Sequence, residues 1–216
     1  IFFRARTSAG EVEARALMIA TNGYTGAATP WHRRRVVPVA SYMVATEEIG
    51  EARVRALLPR LRVYGDTKKI LYYFRPAPDL SRILFGGRAS FRDEPARHGG
   101  ARLHRCLVDL LPGLAGTRIT HAWKGNVAFA LDMLPHVGVH DGVHFALGCN
   151  GSGVVPMTHL GRCAARMILG GGNRASAFAR LPLRTLPLYT GNPWFMPLVG
   201  NLYRLRDWLD GWRVRG

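Results

Sequence analysis

The sequence predicts an α/β chain of mixed, α+β character, with strand–turn–helix segments on either side of an antiparallel sheet. Three observations carry this. Residues 143–169 pass from the two-residue period of a strand to the period of a helix across a glycine turn. Residues 69–90 hold two apolar runs joined by a proline turn, as a hairpin does. The continuously apolar Ala16-Leu-Met-Ile-Ala20 reads as a buried strand and ends in the polar turn Thr21-Asn22-Gly23.

In the first of these, Val143, Phe145 and Leu147 alternate. Gly148, Gly151 and Gly153 then admit backbone angles that other residues avoid. Val154, Met157, Leu160, Ala164, Met167 and Ile168 keep helical spacing to Leu169. Pro156 fits the first turn, and Gly170-Gly171-Gly172 stops the helix. The first N–H groups of such a helix lack intrahelical partners and carry partial positive charge, so a flat or anionic group can approach them across glycines. The spacing is not G-x-G-x-x-G, and on the glycines alone a ligand site and a plain tight connection are equal readings.

The remaining elements follow in order. Phe2 to Ile19 reads as a hairpin turning at Ser8-Ala9-Gly10, and Thr25 to Arg35 as a loop. Val36 to Thr46 is strand-like and crosses into a second domain; Glu47 to Leu61 is a short amphipathic helix that Pro59 ends. Ile70–Phe74 and Ile83–Arg88 are the hairpin strands, with aromatics on one and Gly-Gly-Arg on the other, as in a pocket wall. Ala96 to Leu111 is a helix with a leucine stripe that belongs to the core. Arg118 to Trp123 is a returning strand that Lys124-Gly125-Asn126 breaks, and Asp141-Gly142 makes a hairpin turn. Ala177 to Leu198 carries four X-Pro steps and reads as an irregular arm. Leu202, Leu205, Trp208, Leu209 and Trp212 then form an apolar stripe that reads as packing on its own domain or a partner subunit, with an anionic membrane surface as the alternative.

Composition narrows the function classes. Thirty lysines and arginines against fourteen acids leave a net charge of +16, which draws anionic partners. The basic runs are short, the densest being His32-Arg-Arg-Arg35, so nucleic acid is not the expected partner. No apolar run reaches the ~18 residues of a membrane span. The three cysteines, Cys106, Cys149 and Cys163, form no Cys-x-x-Cys pair, which points to a reducing, cytoplasmic setting without disulfides or zinc. His136, His140 and His144 recur every fourth residue, but Pro135, Gly138 and Asp141-Gly142 place them on strand and turn, so no metal is expected. The chain begins at Ile1 without signal-peptide character, and reads as starting inside a longer protein or after processing.

Four motifs stand in order: Ala20-Thr-Asn-Gly-Tyr-Thr25, Trp123-Lys-Gly-Asn126, Asp132-Met-Leu-Pro-His-Val-Gly138 and Gly148-Cys-Asn-Gly-Ser-Gly153. Together they resemble the C-terminal half of FAD-dependent amine and amino-acid oxidoreductases, the D-amino acid oxidase/glycine oxidase/sarcosine oxidase family in its γ-glutamylputrescine oxidase-like branch. The resemblance implies a partial FAD-binding Rossmann-like domain interleaved with an antiparallel-sheet substrate domain. Residues 1–35 and 123–175 would belong to the first, 36–122 to the second, and 176–216 to the arm and a C-terminal amphipathic helix. It implies cofactor contacts from Thr21, Asn22, Gly23, Gly125, Gly148, Cys149, Asn150, Gly151, Ser152, Gly153 and Val154. Arg88, through its planar fork, and Tyr73 are the substrate-binding candidates.

The implied reaction is hydride transfer from a C–H beside an amine to FAD, imine hydrolysis, and reoxidation by dioxygen or another acceptor with peroxide release. A small amine or amino acid is the implied substrate. A neutral amine needs no obligatory side-chain base, so no catalytic residue is assigned. The FAD is expected to be non-covalent, because Cys106 falls in the helix stripe. The sequence departs from the family in lacking the first βαβ unit with its G-x-G-x-x-G turn. The chain alone is therefore expected to bind FAD weakly or not at all, needing an N-terminal half or second subunit. The alternative is a non-catalytic basic module that binds a partner or an anionic surface.

Overall fold

The computed structural model describes residues 2–88, 94–171 and 176–215. Ser90, Gly172, Ala175 and the terminal residues 1 and 216, which bound expected segments, lie outside the described residues. The chain forms two compact units, Ile1–Val39 with Asn126–Pro193, and Ala40–Gly125 with Trp194–Gly216.

In the first unit, Phe3–Thr7 (β1) and Gly10–Ala14 (β2) make the expected antiparallel hairpin. Thr7 closes its turn, accepting from Ala9 N and donating to the Gly10 carbonyl. The return strand is not continuous. It stops at Ala14, and Met18–Ile19 (β3) joins another sheet, in parallel with Val143–Leu147 (β10). His136–His140 (β9) pairs with β10 on its other side, antiparallel. Asp141 and Gly142 turn between them with φ of 48° and 78°, the left-handed pair that a two-residue hairpin requires.

β10 is the centre of this unit because its alternate residues serve two layers. Ala146, with Val137 of β9, packs on Leu160, Cys163 and Ala164 of the helix Val154–Arg166 (α4). Phe145 and Leu147 pack on Ile19, Val36 and Ala128. The expected helical stripe holds at Leu160, Ala164 and Met167, with Cys163 added to it, but its ends do not: Val154 at the helix start and Ile168 are exposed. A wider turn over Met167–Gly171 follows α4, and Gly170 leaves it with φ of 92°.

The loop expected at Thr25–Arg35 contains a short helix, Pro30–Arg33 (α1), with proline in its first turn. Trp31 of α1 stacks on His140 at 3.7 Å and carries the Arg35 guanidinium 3.8 Å from its ring centroid. The arm is strapped over this region. Arg35 Nε donates to the Leu183 carbonyl at 3.1 Å, and the buried Tyr189 hydroxyl donates to the Val36 carbonyl at 2.8 Å. The arm expected as irregular over Ala177–Leu198 has a 3-10 turn at Ala177–Arg180, and its last residues, Met196–Leu198, open a helix because Pro197 falls in a first turn, where its missing N–H costs nothing.

The second unit holds most of a sheet of order β5-β6-β7-β4-β8, formed by Tyr64–Gly65 (β5), Tyr72–Pro76 (β6), Ile83–Gly87 (β7), Val37–Thr46 (β4) and Ile119–Phe129 (β8); Val37–Val39 of β4 and Asn126–Phe129 of β8 belong to the first unit. β6 and β7 are the expected hairpin, in antiparallel register. β8 corrects one expectation: Lys124-Gly125-Asn126 does not interrupt it, because Gly125 keeps an extended backbone and glycine ends a strand only where the chain turns. The helix expected over Glu47–Leu61 is shortened to Glu51–Leu57 (α2), starting after Gly50 at φ of 79°. Ala96–Leu110 (α3) lays Leu103 and Leu107 on Tyr42, Val44, Ile83 and Phe85 of the sheet. Gly99 of α3 admits the Tyr42 ring, which a Cβ would meet at 2.3 Å.

Met196–Arg215 (α5) closes the second unit, with Met196 and Gly200 buried. Asp207 of α5 accepts hydrogen bonds from Lys69 N at 2.7 Å and Ile70 N at 3.0 Å. This anchor sets the rotation of the helix. Leu202, Leu205, Trp208, Leu209 and Trp212 consequently stand exposed rather than packed on their own domain.

Two predictions follow from the packing. Burial, with the charges of His140 and Arg35, drives the His32 pKa from 6.5 down to about 4. The unfolded chain therefore binds more protons between those values, and stability falls as pH drops from 6.5 toward about 4, by up to about 3 kcal/mol. Thermal melts across that window check it, with H32F flattening the dependence. In the second unit, G99A forces the Tyr42 ring aside and costs about 1–3 kcal/mol in a denaturant titration.

Candidate functional site

The glycine turn before α4 is held by two asparagines. Asn22 stands after β3 with φ of 46°, in a 3-10 turn over Asn22–Tyr24. Its Oδ1 accepts from Gly148 N at 3.2 Å and Cys149 N at 3.4 Å, and its Nδ2 donates to Cys149 Sγ at 3.1 Å. Asn150, with φ of 49°, is the second clamp. Its Oδ1 accepts from Ala130 N at 3.0 Å, its Nδ2 donates to the Gly148 carbonyl at 2.7 Å, and its own N–H donates to the Ala128 carbonyl at 2.9 Å. The end of β3, the end of β8 and the turn after β10 therefore form one hydrogen-bonded cluster.

Glycine is required at several points. A Cβ on Gly23 would lie 2.4 Å from the Asn126 carbonyl oxygen, so only glycine lets these two backbones meet. Asn126 N donates in turn to the Tyr24 hydroxyl at 3.0 Å. Gly148 and Gly151 have φ of 80° and 91°, and the space where a Gly151 side chain would stand is open. The cluster grades from buried to exposed along the chain: Gly148 and Cys149 are buried, Gly151, Ser152 and Val154 exposed. Among the described residues no side chain caps the start of α4. A cavity of about 510 Å3 adjoins it, lined by Met18, Ala20, Asn22, Cys149, Gly153 and Met157 among others.

The motif Asp132–Gly138 serves as a brace. Asp132 Oδ1 accepts from Leu134 N at 3.1 Å and lies 3.0 Å from Nε2 of the buried His136, at the start of β9. Partial burial pulls the Asp132 carboxyl up, yet these bonds outweigh it and hold it below its ordinary value.

In the second unit, the adjacent tyrosines of β6 part company. Tyr72 packs against the core, and its hydroxyl and the Cys106 thiol are hydrogen bonded at 3.1 Å. Tyr73 hydrogen-bonds Ser41 Oγ at 2.8 Å, and its ring lies where a Cβ on Gly86 would stand. Burial lowers the Arg88 pKa, while Tyr203 and Tyr73 raise it. Arg88 also lines a cavity of about 520 Å3 with Tyr72, Arg102, Cys106 and Arg204.

A family model described as FAD dependent oxidoreductase matches residues 2–167. The chain belongs to this family. It is 31% identical over 207 residues to the probable oxidoreductase OrdL of Rhizobium meliloti, covering 93% of this chain and 47% of that protein. It is also 31% identical to the gamma-glutamylputrescine oxidoreductase of Escherichia coli, covering 84% of this chain and 43% of that protein. Among solved structures, glycine oxidase from Geobacillus kaustophilus shares the fold with a TM-score of 0.61 at 18% identity, over 83% of this chain and 47% of that one. The chain thus spans less than half the length of the relatives it matches.

Of the residues expected at the cofactor, Asn22, Gly23, Gly148, Cys149, Asn150, Gly151, Ser152, Gly153 and Val154 fall in or beside the one cluster of the first unit. Thr21 precedes it, with its hydroxyl 2.8 Å from that of Thr25. Gly125 lies within β8 and in the second unit. Tyr73 and Arg88 are near enough to interact electrostatically. Sequence reasoning missed Tyr24, Ala128 and Ala130, whose parts are played by a hydroxyl and by backbone groups. Only the tyrosine left a residue-type signal. N22A removes the acceptor for two buried N–H groups, and is expected to destabilise the first unit by about 1–3 kcal/mol, read from thermal unfolding.

Proposed function

We propose that this chain supplies the flavin-edge and substrate-facing portion of an FAD-dependent oxidoreductase that acts on a CH–NH or CH–NH2 group of a small amine or amino acid. The observation that carries the reading is the α4 N-terminus, without a side-chain cap among the described residues and exposed at Gly151, Ser152 and Val154 behind a turn locked by Asn22 and Asn150. Such an end holds negative charge through N–H groups that are already oriented. The open space at Gly151 and the neighbouring cavity fit a flat ring approaching edge-on.

FAD, when bound, would supply the two-electron redox chemistry for a C–H beside an amine nitrogen. The chain's residues orient and polarise. The α4 N–H groups hold the charge that develops on reduction, and Met18, Ala20 and Met157 present apolar surface that keeps water away. Arg88 binds a substrate carboxylate through its planar fork, with Tyr73 beside it. No side chain is assigned a proton-abstracting role. Residues 1–35 and 123–175 then form the FAD-binding share and residues 36–122 the substrate share. FAD would be held non-covalently, with dioxygen or another acceptor as the final oxidant, and the cysteines fit a cytoplasmic setting.

β3 is the edge strand of its sheet among the described residues, so a further parallel strand can pair there. A dinucleotide-binding strand supplied from elsewhere in the protein would occupy that edge. This chain by itself is expected to hold FAD weakly; flavin absorbance retained through gel filtration would overturn this. In a full-length protein, R88A is expected to raise KM for carboxylate-bearing amines by about tenfold or more, with a smaller change in kcat. Peroxide-coupled assays across amines with and without a carboxylate read both the activity and this discrimination.

A further inference from the structure

The exposed apolar surface of α5 is ordered. Leu198, Leu202, Leu205, Trp208, Leu209 and Trp212 are 68, 47, 53, 66, 39 and 72% exposed. Helical geometry turns about 100° per residue, which places all six on one face of α5, a stripe about 120° wide. Asn201 is the polar residue within it. The opposite side is tied down, by Asp207 on Lys69 N and Ile70 N and by buried Met196 and Gly200. The helix therefore cannot roll its stripe inward without breaking that anchor.

Charge is arranged around the stripe. Both acids of the helix, Asp207 and Asp210, lie off it. Arg204 borders one side and Arg206 the other, both exposed. Arg204 also lines the cavity of about 520 Å3, together with Lys68, Arg102 and Arg105. The recess at that border also holds Asp109 and Asp207, and Lys68 and Arg102 pair with Asp66 and Glu94, so its charge is mixed, with Lys68, Arg88, Arg102, Arg105 and Arg204 outnumbering the two lining acids. Among the described residues no helix is long and apolar enough to cross a membrane.

We propose that this face of α5 docks on an anionic phospholipid surface. The leucines and tryptophans enter the boundary between headgroups and acyl chains, while the bordering arginines meet lipid phosphates. Charge complementarity selects this occupant. Two copies of a chain carrying +16 repel each other, whereas an anionic bilayer attracts both the helix and the chain behind it.

Sedimentation of the purified protein with vesicles tests the proposal, using phosphatidylcholine alone and phosphatidylcholine mixed with phosphatidylglycerol. The expected result is binding to the mixed vesicles only, weakening as salt is raised. The variant L205E/W208E changes two exposed side chains and should bind those vesicles about tenfold or more weakly, with an unchanged circular dichroism spectrum. Should that spectrum change, R206E carries the test in its place and should weaken binding at low salt. Absence of binding, equal binding by wild type and variant, or a dimer that L205E/W208E dissociates would each overturn it.

Discussion

Asn22 and Asn150 hold the first unit's turn together by satisfying groups that neither turn can satisfy alone. The Asn22 amide reaches Gly148 N and Cys149 N from a position 126 and 127 residues earlier in the chain. Backbone N–H groups withdrawn from water cost free energy if left unpaired, so the turn before α4 depends on β3 delivering this side chain. Asn22 and Asn150 both adopt left-handed backbone angles, which asparagine tolerates better than most residues. The same two residues therefore set the backbone and close its hydrogen bonds.

That clamp explains why the start of α4 can remain open. The turn is fixed from behind, by Ala128, Ala130 and Asn22, and needs no capping side chain in front. The N–H groups that a serine or aspartate cap would occupy are left toward the exposed glycines. β10 anchors the arrangement, since Ala146 on one face and Phe145 and Leu147 on the other are each buried in a separate cluster. A one-residue slip of β10 would exchange those faces and displace the turn with them.

In the second unit the corresponding constraint is steric. Glycines at 86 and 99 make room for the rings of Tyr73 and Tyr42 on opposite faces of one sheet. One face becomes core, and the other carries Tyr73 with its bond to Ser41. A single carboxylate, Asp207, ties one side of α5 to the segment that precedes β6. A helix with apolar residues on two sides has no unique rotation from hydrophobicity alone.

Local pattern determined much of this protein. The β6–β7 hairpin, the leucine stripe of α3, the turn at Asp141-Gly142, and the strand, glycine turn and helix at residues 143–169 are all legible because neighbouring residues set their periodicity and turns. The ordered motifs likewise led to the family. Tertiary structure decided what depends on distant partners. β3 was cut to two residues because it leaves the β2 direction to pair with β10, and β8 ran through Gly125 without turning. The asparagine clamp joins residues far apart in the chain, and the outward face of α5 follows from an anchor on Lys69 and Ile70. Periodicity states which residues share a face; only long-range hydrogen bonds and packing state what that face meets.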